Sequence, residues 1–230
     1  LLNHANNHTQ TLAHLLEERI MVNPKGILKF LPTIGILLFI GIYIYASQLY
    51  PGGSQADFNS VGFDWSNNYW CNLMRDDGLN GIKNEAQPVA ITGIVILCSS
   101  MIIFFFQFAN YFENHKIWKM TIKISGALAM LSAPFIFSEY HDIMTTVLSL
   151  SGTVVIIGMI RALHNRQLTF LKLMGIICIA IIGLNNFFYY NEDLIQYGPI
   201  IQKAAFILIL SWTVRINYKM KEKNTLQQRV

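Results

Sequence analysis

Charge is scarce in this chain. Asp, Glu, Lys and Arg make up 13% of its 230 residues, about half the share of an ordinary soluble domain, while 53% are hydrophobic. That balance excludes a conventional soluble fold and places the chain in the membrane class. Cysteine is equally sparse: of Cys71, Cys98 and Cys178 only the first falls outside an apolar run, so no internal disulfide is expected. The net charge of +4 is small and its basic residues are clustered, which speaks for membrane orientation and against a nucleic-acid partner; no nucleic-acid motif is present. The first thirty residues lack the apolar core of a signal peptide and are expected to remain as a cytoplasmic arm.

What the chain does contain is long apolar runs. A helix rising about 1.5 Å per residue needs about 20 mainly apolar residues to cross the hydrocarbon. Six segments qualify: Leu31 to Leu49, Pro88 to Ala109, Thr121 to Ser138, Asp142 to Leu163, Leu168 to Tyr189 and Tyr197 to Ile216, the third being the shortest and most polar. The gaps between them sort the seventeen Lys and Arg. Fourteen fall in the N-terminal arm, the second gap, the fourth gap and the tail or at the span ends flanking them; the other side has Arg75 and Lys83, and Lys203 lies within the last span. Nine of the thirteen acids fall on the Lys-poor side. Because cytoplasmic loops retain Lys and Arg, both termini are expected in the cytoplasm and the long segment after the first span outside. The expected fold is therefore all-α, an integral membrane bundle of six helices. Its parts are a cytoplasmic arm over 1–30, a six-helix domain over 31–216 with an external loop over 50–87, and a tail over 217–230.

The external loop is the one long polar interruption, and it is richer than a connector needs. Tyr50-Pro51-Gly52-Gly53 stops the first helix and turns the chain. The Ser66 to Met74 stretch is expected as a short helix at the interface, capped by Asp64 or Ser66. Trp65, Tyr69 and Trp70 are types that settle at headgroup level, and with Asn67, Asn68 and Asn72 they could also line the mouth of a bundle. The next external turn, Ser138-Glu139-Tyr140-His141-Asp142, places two carboxylates and an imidazole within four positions. Glu139, His141 and Asp142 are candidate metal ligands, or a base with its orienting acid, although Asp142 would also simply cap the following helix. Asn185 and Asn186 lie near the outer end of the fifth span. Lys203 sits about 10 Å down the last span, where it must snorkel or meet Glu139, Asp142, Glu192 or Asp193. His4, His8 and His14 in the arm have no acid or Cys beside them to complete a metal site.

Pro51-Gly52-Gly53, the run Asn68-Tyr69-Trp70-Cys71-Asn72-Leu73 and Tyr140-His141-Asp142 resemble an uncharacterised bacterial family of six-span membrane proteins, related loosely to the FRAG/DRAM/Sfk-type membrane proteins. The likeness covers roughly Leu31 to Met220 and is more architectural than catalytic. Some relatives carry a Ser-x-Leu-Gly element where this chain has Cys71-Asn72-Leu73-Met74. The resemblance implies a cell-membrane protein of no agreed activity, with a lipid-related role by distant analogy. Asp64 to Tyr69 is also similar to an early motif of alkaline ceramidase-type hydrolases. Those hold zinc with several His, including a pair on a late span, whereas the spans after His141 contain no His.

The functional expectation is a non-enzymatic multi-pass protein of the cell membrane, with a lipid or small polar ligand at the external mouth. The candidate binding residues are Asp64, Asn68, Trp70, Asn72, Glu139, His141, Asp142, Asn186 and Lys203. A metal-dependent or lipid-modifying hydrolase built on His141 is the alternative. A transporter ranks third, because matched broken helices and an internal repeat are not evident. No cofactor and no oligomeric state follow from the sequence; the bilayer itself is the one partner it requires.

Overall fold

The computed structural model describes residues 29–137, 140–191 and 193–227, with the backbone alone for 137, 141, 142 and 221–227. Six α-helices follow in order among these residues: α1 (Leu31–Leu49), α2 (Gln87–Phe112), α3 (Lys116–Ser132), α4 (His141–Asn165), α5 (Thr169–Tyr189) and α6 (Gly198–Gln227). There is no strand among them. The expected arm with its three His lies outside the described residues. The last helix, α6, runs on past Ile216, where the last span was expected to end, to Gln227.

Proline sets several boundaries. Pro32 and Pro88 stand in the first turns of α1 and α2, where a missing N–H costs nothing and the fixed φ suits a helix start. Pro51 forces Tyr50 into the extended region, at φ −72° and ψ 127°, and α1 ends there. Pro134 can neither donate to the carbonyl four residues back nor clear it, so α3 tightens into a 3-10 turn over Ala133–Phe137.

Five segments are long and apolar enough to cross a membrane: Leu31–Leu49, Gln87–Phe112, Ile143–Asn165, Thr169–Tyr189 and Ile195–Met220. The exposed positions on these helices are largely hydrophobic, Leu37, Leu150, Ile177 and Ile207 being more than half exposed. Such a surface is unsustainable in water and ordinary in lipid, so the protein is membrane-embedded. The third expected span is the exception. Its helix begins at Lys116, five residues before the expected Thr121, and its 17 residues include Lys116, Lys119 and Lys123.

The centre of the bundle is α2, whose window is 50% buried against 17% for α4 and for α5. Its inward residues recur at helical spacing through Ala90, Ile94, Leu97, Met101, Phe104, Phe108 and Phe112. The helices touch where one offers a small residue, as where Gly35 of α1 faces Ser100 of α2. At one end the turns are pinned by charge: Arg161 reaches the buried Glu113 at 2.5 Å, and Arg166 donates to Phe112 O at 3.0 Å and to Asn114 Oδ1 at 2.9 Å. At that same end Asn217 of α6 donates to Thr33 of α1 at 3.0 Å. The opposite end is covered by the loop between α1 and α2.

Candidate functional site

Residues 50–86 form a cap on the bundle, built without strands. It is a set of turns held by asparagine amides, which supply donor and acceptor in one short side chain. Gly52 and Gly53 open it at φ 138° and 81°, a conformation closed to most side chains, and each packs directly against the backbone or side chain near Asn80. Asn68, fully buried, accepts from Asp64 N at 2.8 Å and donates to Gly53 O at 2.7 Å, tying the middle of the cap to its entrance. Asn84, 2% exposed, donates to Leu73 O at 3.1 Å and Arg75 O at 2.9 Å while accepting from Ala86 N at 3.0 Å. The amide thus ties the one helical turn of the cap, a 3-10 segment over Trp70–Met74, to the start of α2. The expected helix over Ser66 to Met74 is shorter than the sequence suggested because Asp64 caps a separate turn. Its carboxylate accepts from Ser66 N at 2.8 Å, Asn67 N at 3.1 Å and Asn67 Nδ2 at 2.8 Å.

Four contacts dock the cap onto α6 and the turn before it. Trp70 N donates to Gln202 Oε1 at 2.8 Å, Tyr69 OH to Ile195 O at 3.1 Å, Gln202 Nε2 to Cys71 Sγ at 3.8 Å, and Lys203 Nζ to Asn68 O at 2.5 Å. Lys203 also donates to Pro199 O at 3.2 Å and lies 5.8 Å from the Phe63 ring centre. Gly198 makes the docking possible, since a Cβ there would fall 1.8 Å from Tyr69 OH.

Trp70 is the wedge. It is 8% exposed and enters between α1 and α6, with ring centres 5.8 Å from Phe39, 5.7 Å from Tyr43 and 5.2 Å from Phe206. Trp65, 46% exposed, stays on the surface. The aromatic run therefore divides, Tyr69 and Trp70 inward and Trp65 outward. Trp70 Nε1 and Tyr43 OH are both buried with no hydrogen-bond partner among the described residues. An unpaired buried donor costs about 1–3 kcal/mol, so two in ring contact under one cap are a conspicuous demand for an acceptor.

The charges at the contact between the cap and α6 are Lys203 and Asp64. The hydrogen bond from the Asn67 side chain foremost holds the Asp64 carboxyl below its ordinary range; burial opposes it, and the Ser66 and Asn67 backbone N–H groups and the Lys203 charge add to the lowering. Cys71 is no nucleophile in this setting, because burial pushes its thiol up, only partly offset by Gln202. Burial likewise moves the Tyr69 hydroxyl up to about 12.

Of the sequence candidates, the structure brings Asp64, Asn68, Trp70 and Lys203 to one place. Asn72 is buried in the same cap and accepts a weak contact from Cys71 at 3.9 Å. Asn186 lies on the exposed side of α5, whereas Asn185 turns inward with a buried, unpartnered Oδ1. Glu139 and Glu192 lie outside the described residues, and His141 and Asp142 are described by backbone alone, as the first two residues of α4. Among the described residues no group of three His, Cys, Asp or Glu could hold a metal. Gln202, Tyr43, Asn84 and Gly198 were not anticipated. Only Gln202 carried a signal, as a second polar residue next to Lys203 in an apolar span. No protein-family model, curated protein or solved structure matches the chain.

Proposed function

We propose that this is a six-span protein of the cell membrane, with both termini in the cytoplasm, whose external cap holds a small polar ligand or a lipid headgroup at the outer mouth without catalysing a reaction on it. The single observation that carries the ligand reading is the pair of unpartnered buried donors, Tyr43 OH and Trp70 Nε1, on two rings in contact under the cap that Lys203 helps to dock. Lys203 spends two of its three ammonium hydrogens on carbonyls, which leaves one for an acceptor. A ligand presenting a phosphate, carboxylate or carbonyl oxygen matches this set of donors.

Six crossings are supported by length and by charge. The α3 helix with its 3-10 continuation rises about 35 Å, enough for hydrocarbon of about 30 Å. Its three Lys stand at the end where Arg161, Arg166 and Arg215 also lie, which is the cytoplasmic end if the positive-inside rule holds. Membership of the six-span family suggested by Pro51-Gly52-Gly53, Asn68 to Leu73 and Tyr140-His141-Asp142 belongs to the same proposal.

Two measurements test it. Native mass spectrometry of gently extracted protein should find a bound molecule that Tyr43→Phe with Trp70→Phe releases; an unliganded protein, or a complex indifferent to both changes, removes the ligand reading. Single cysteines at Asn114 and Tyr140 in a background without Cys71, Cys98 and Cys178 should react with an impermeant thiol reagent from opposite sides of the membrane. Labelling of both from one side would show that α3 does not cross.

A further inference from the structure

A second site opens beneath the cap, on the side of the bundle. Between α1 and α6 a groove of about 690 Å³ opens on the side of the bundle, lined on α1 by Ile36, Ile40 and Ile44 and on α6 by Ile207, Leu210 and Val214. On both helices the lining residues recur at three- and four-residue spacing, so the groove follows a continuous stripe of each. Trp65 and Trp70 roof it at the cap end. At the other end its lining turns polar, with Ser211, Arg215 and Tyr218. Arg215 and Tyr218 are exposed, and Arg215 makes no hydrogen bond or ion pair among the described residues.

We propose that this groove binds the acyl chain of an anionic phospholipid from the cytoplasmic leaflet, with its phosphate on Arg215 and its chain running up beneath Trp70. This rests on the orientation argued above, not on the cap ligand. Ile207 to Tyr218 spans about 16 Å of helix, the reach of one chain within one leaflet. Charge selects the occupant. A second copy of this chain would insert in the same orientation and bring its own Arg215 and Lys219 to the same depth, whereas an anionic headgroup neutralises Arg215. A basic residue at the cytoplasmic mouth of a cleft between spans suits a headgroup phosphate, and the Tyr218 hydroxyl and Ser211 are near enough along the helix to donate to phosphate or ester oxygens.

The test uses the full chain in detergent, titrated with phosphatidylglycerol or phosphatidylcholine and read by native mass spectrometry. One phosphatidylglycerol should be retained in preference to phosphatidylcholine. Arg215→Gln should weaken that retention about fivefold, the worth of one cation near a charged headgroup, and Arg215→Lys should restore it. Leu210→Trp should fill the groove and expel the lipid whatever its charge, while the thermal midpoint of each variant shows that it has folded. Equal retention of both lipids, or no loss in either Arg215→Gln or Leu210→Trp, overturns the proposal. A two-chain complex that persists without lipid and is lost in Leu210→Trp overturns it in favour of a second copy. Neither cap donor is changed in this experiment, and because Trp70 also roofs the groove while Tyr43 does not line it, Tyr43→Phe alone separates a cap ligand from the groove lipid. Thiol labelling that reverses the orientation overturns the assignment to the cytoplasmic leaflet, while lipid retention separately reports on the groove.

Discussion

Replacing Asn84 by Ala should loosen the cap without unfolding the bundle. The substitution removes a side chain that is 2% exposed and leaves three backbone groups without it: Leu73 O, Arg75 O and Ala86 N. The third carbonyl it touches, Asn72 O at 3.4 Å, keeps the Arg75 N–H and loses little. At about 1 kcal/mol for each buried group left unpaired, the loss is ~3 kcal/mol. That energy sits between the Trp70–Met74 turn and the first turn of α2, so it should appear as local opening. Hydrogen exchange on protein in detergent reads it directly. Amides at Arg75, Gly78 and Asn84, which hydrogen-bond within the cap, should lose protection by about 10²-fold, since each 1.4 kcal/mol is about tenfold, while amides within α4 and α5 stay unchanged. Asn80→Ala is the control, because the half-buried Asn80 side chain accepts from Ile82 N at an exposed turn and should cost only about 0.5 kcal/mol. Loss below threefold in Asn84→Ala, or equal loss in cap and helices, would refute the idea that this amide is a local clasp.

Three further outcomes follow from contacts in the bundle. Gly35→Ala puts a Cβ 1.7 Å from Ser100 Oγ, so α1 and α2 must part at a cost of about 1–3 kcal/mol; Ser100→Gly should recover most of it in a thermal double-mutant cycle, and simple additivity would rule the contact out. Arg161→Met should lower the thermal midpoint more than Glu113→Gln, because the first leaves a carboxylate only 4% exposed without its cation while the second leaves a guanidinium that is 34% exposed and can rewet; the reverse order would contradict this. Lys203→Met should leave membrane insertion unharmed or improved yet raise hydrogen exchange across 64–72, since the cap loses the donor to Asn68 O; unchanged protection there would mean that Gln202 and Tyr69 suffice to dock it.

The helices were legible because their signals are local. Apolar length and the positions of Pro32, Pro51, Pro88 and Pro134 give five crossings and most boundaries within a few residues. The third helix was the least legible for a physical reason: three Lys at its start belong to a helix that begins before its apolar stretch, so hydropathy and helix do not coincide. The cap was expected to be more than a connector from its Asn and aromatic content, but its inner order was not foreseen. Which of Trp65 and Trp70 turns inward depends on the turn that Asp64 closes, and a period-based reading of Ser66 to Met74 as one helix has no means of finding that break.

Lys203 marks where sequence reasoning ends most clearly. A cation within a span costs about 2.5–3.5 kcal/mol at the membrane centre, which directed attention to snorkelling or to the acids expected on the outer side, Glu192, Asp193, Glu139 and Asp142. The structure answers the same cost with carbonyl oxygens of Asn68 and Pro199, and with the cap lowered onto the helix to supply the first. Carbonyls are present at every residue, so no pattern of side chains announces which will serve. The acid that does bear on Lys203 is Asp64, 139 positions away in sequence, and it acts through space without an ion pair to Lys203 among the described residues. A lysine that only had to be tolerated could snorkel to water, whereas this one is used in docking the cap. Under that cap, Tyr43 of α1 and Trp70 bring two buried donors without acceptors into ring contact, and this is the demand that the proposed ligand meets.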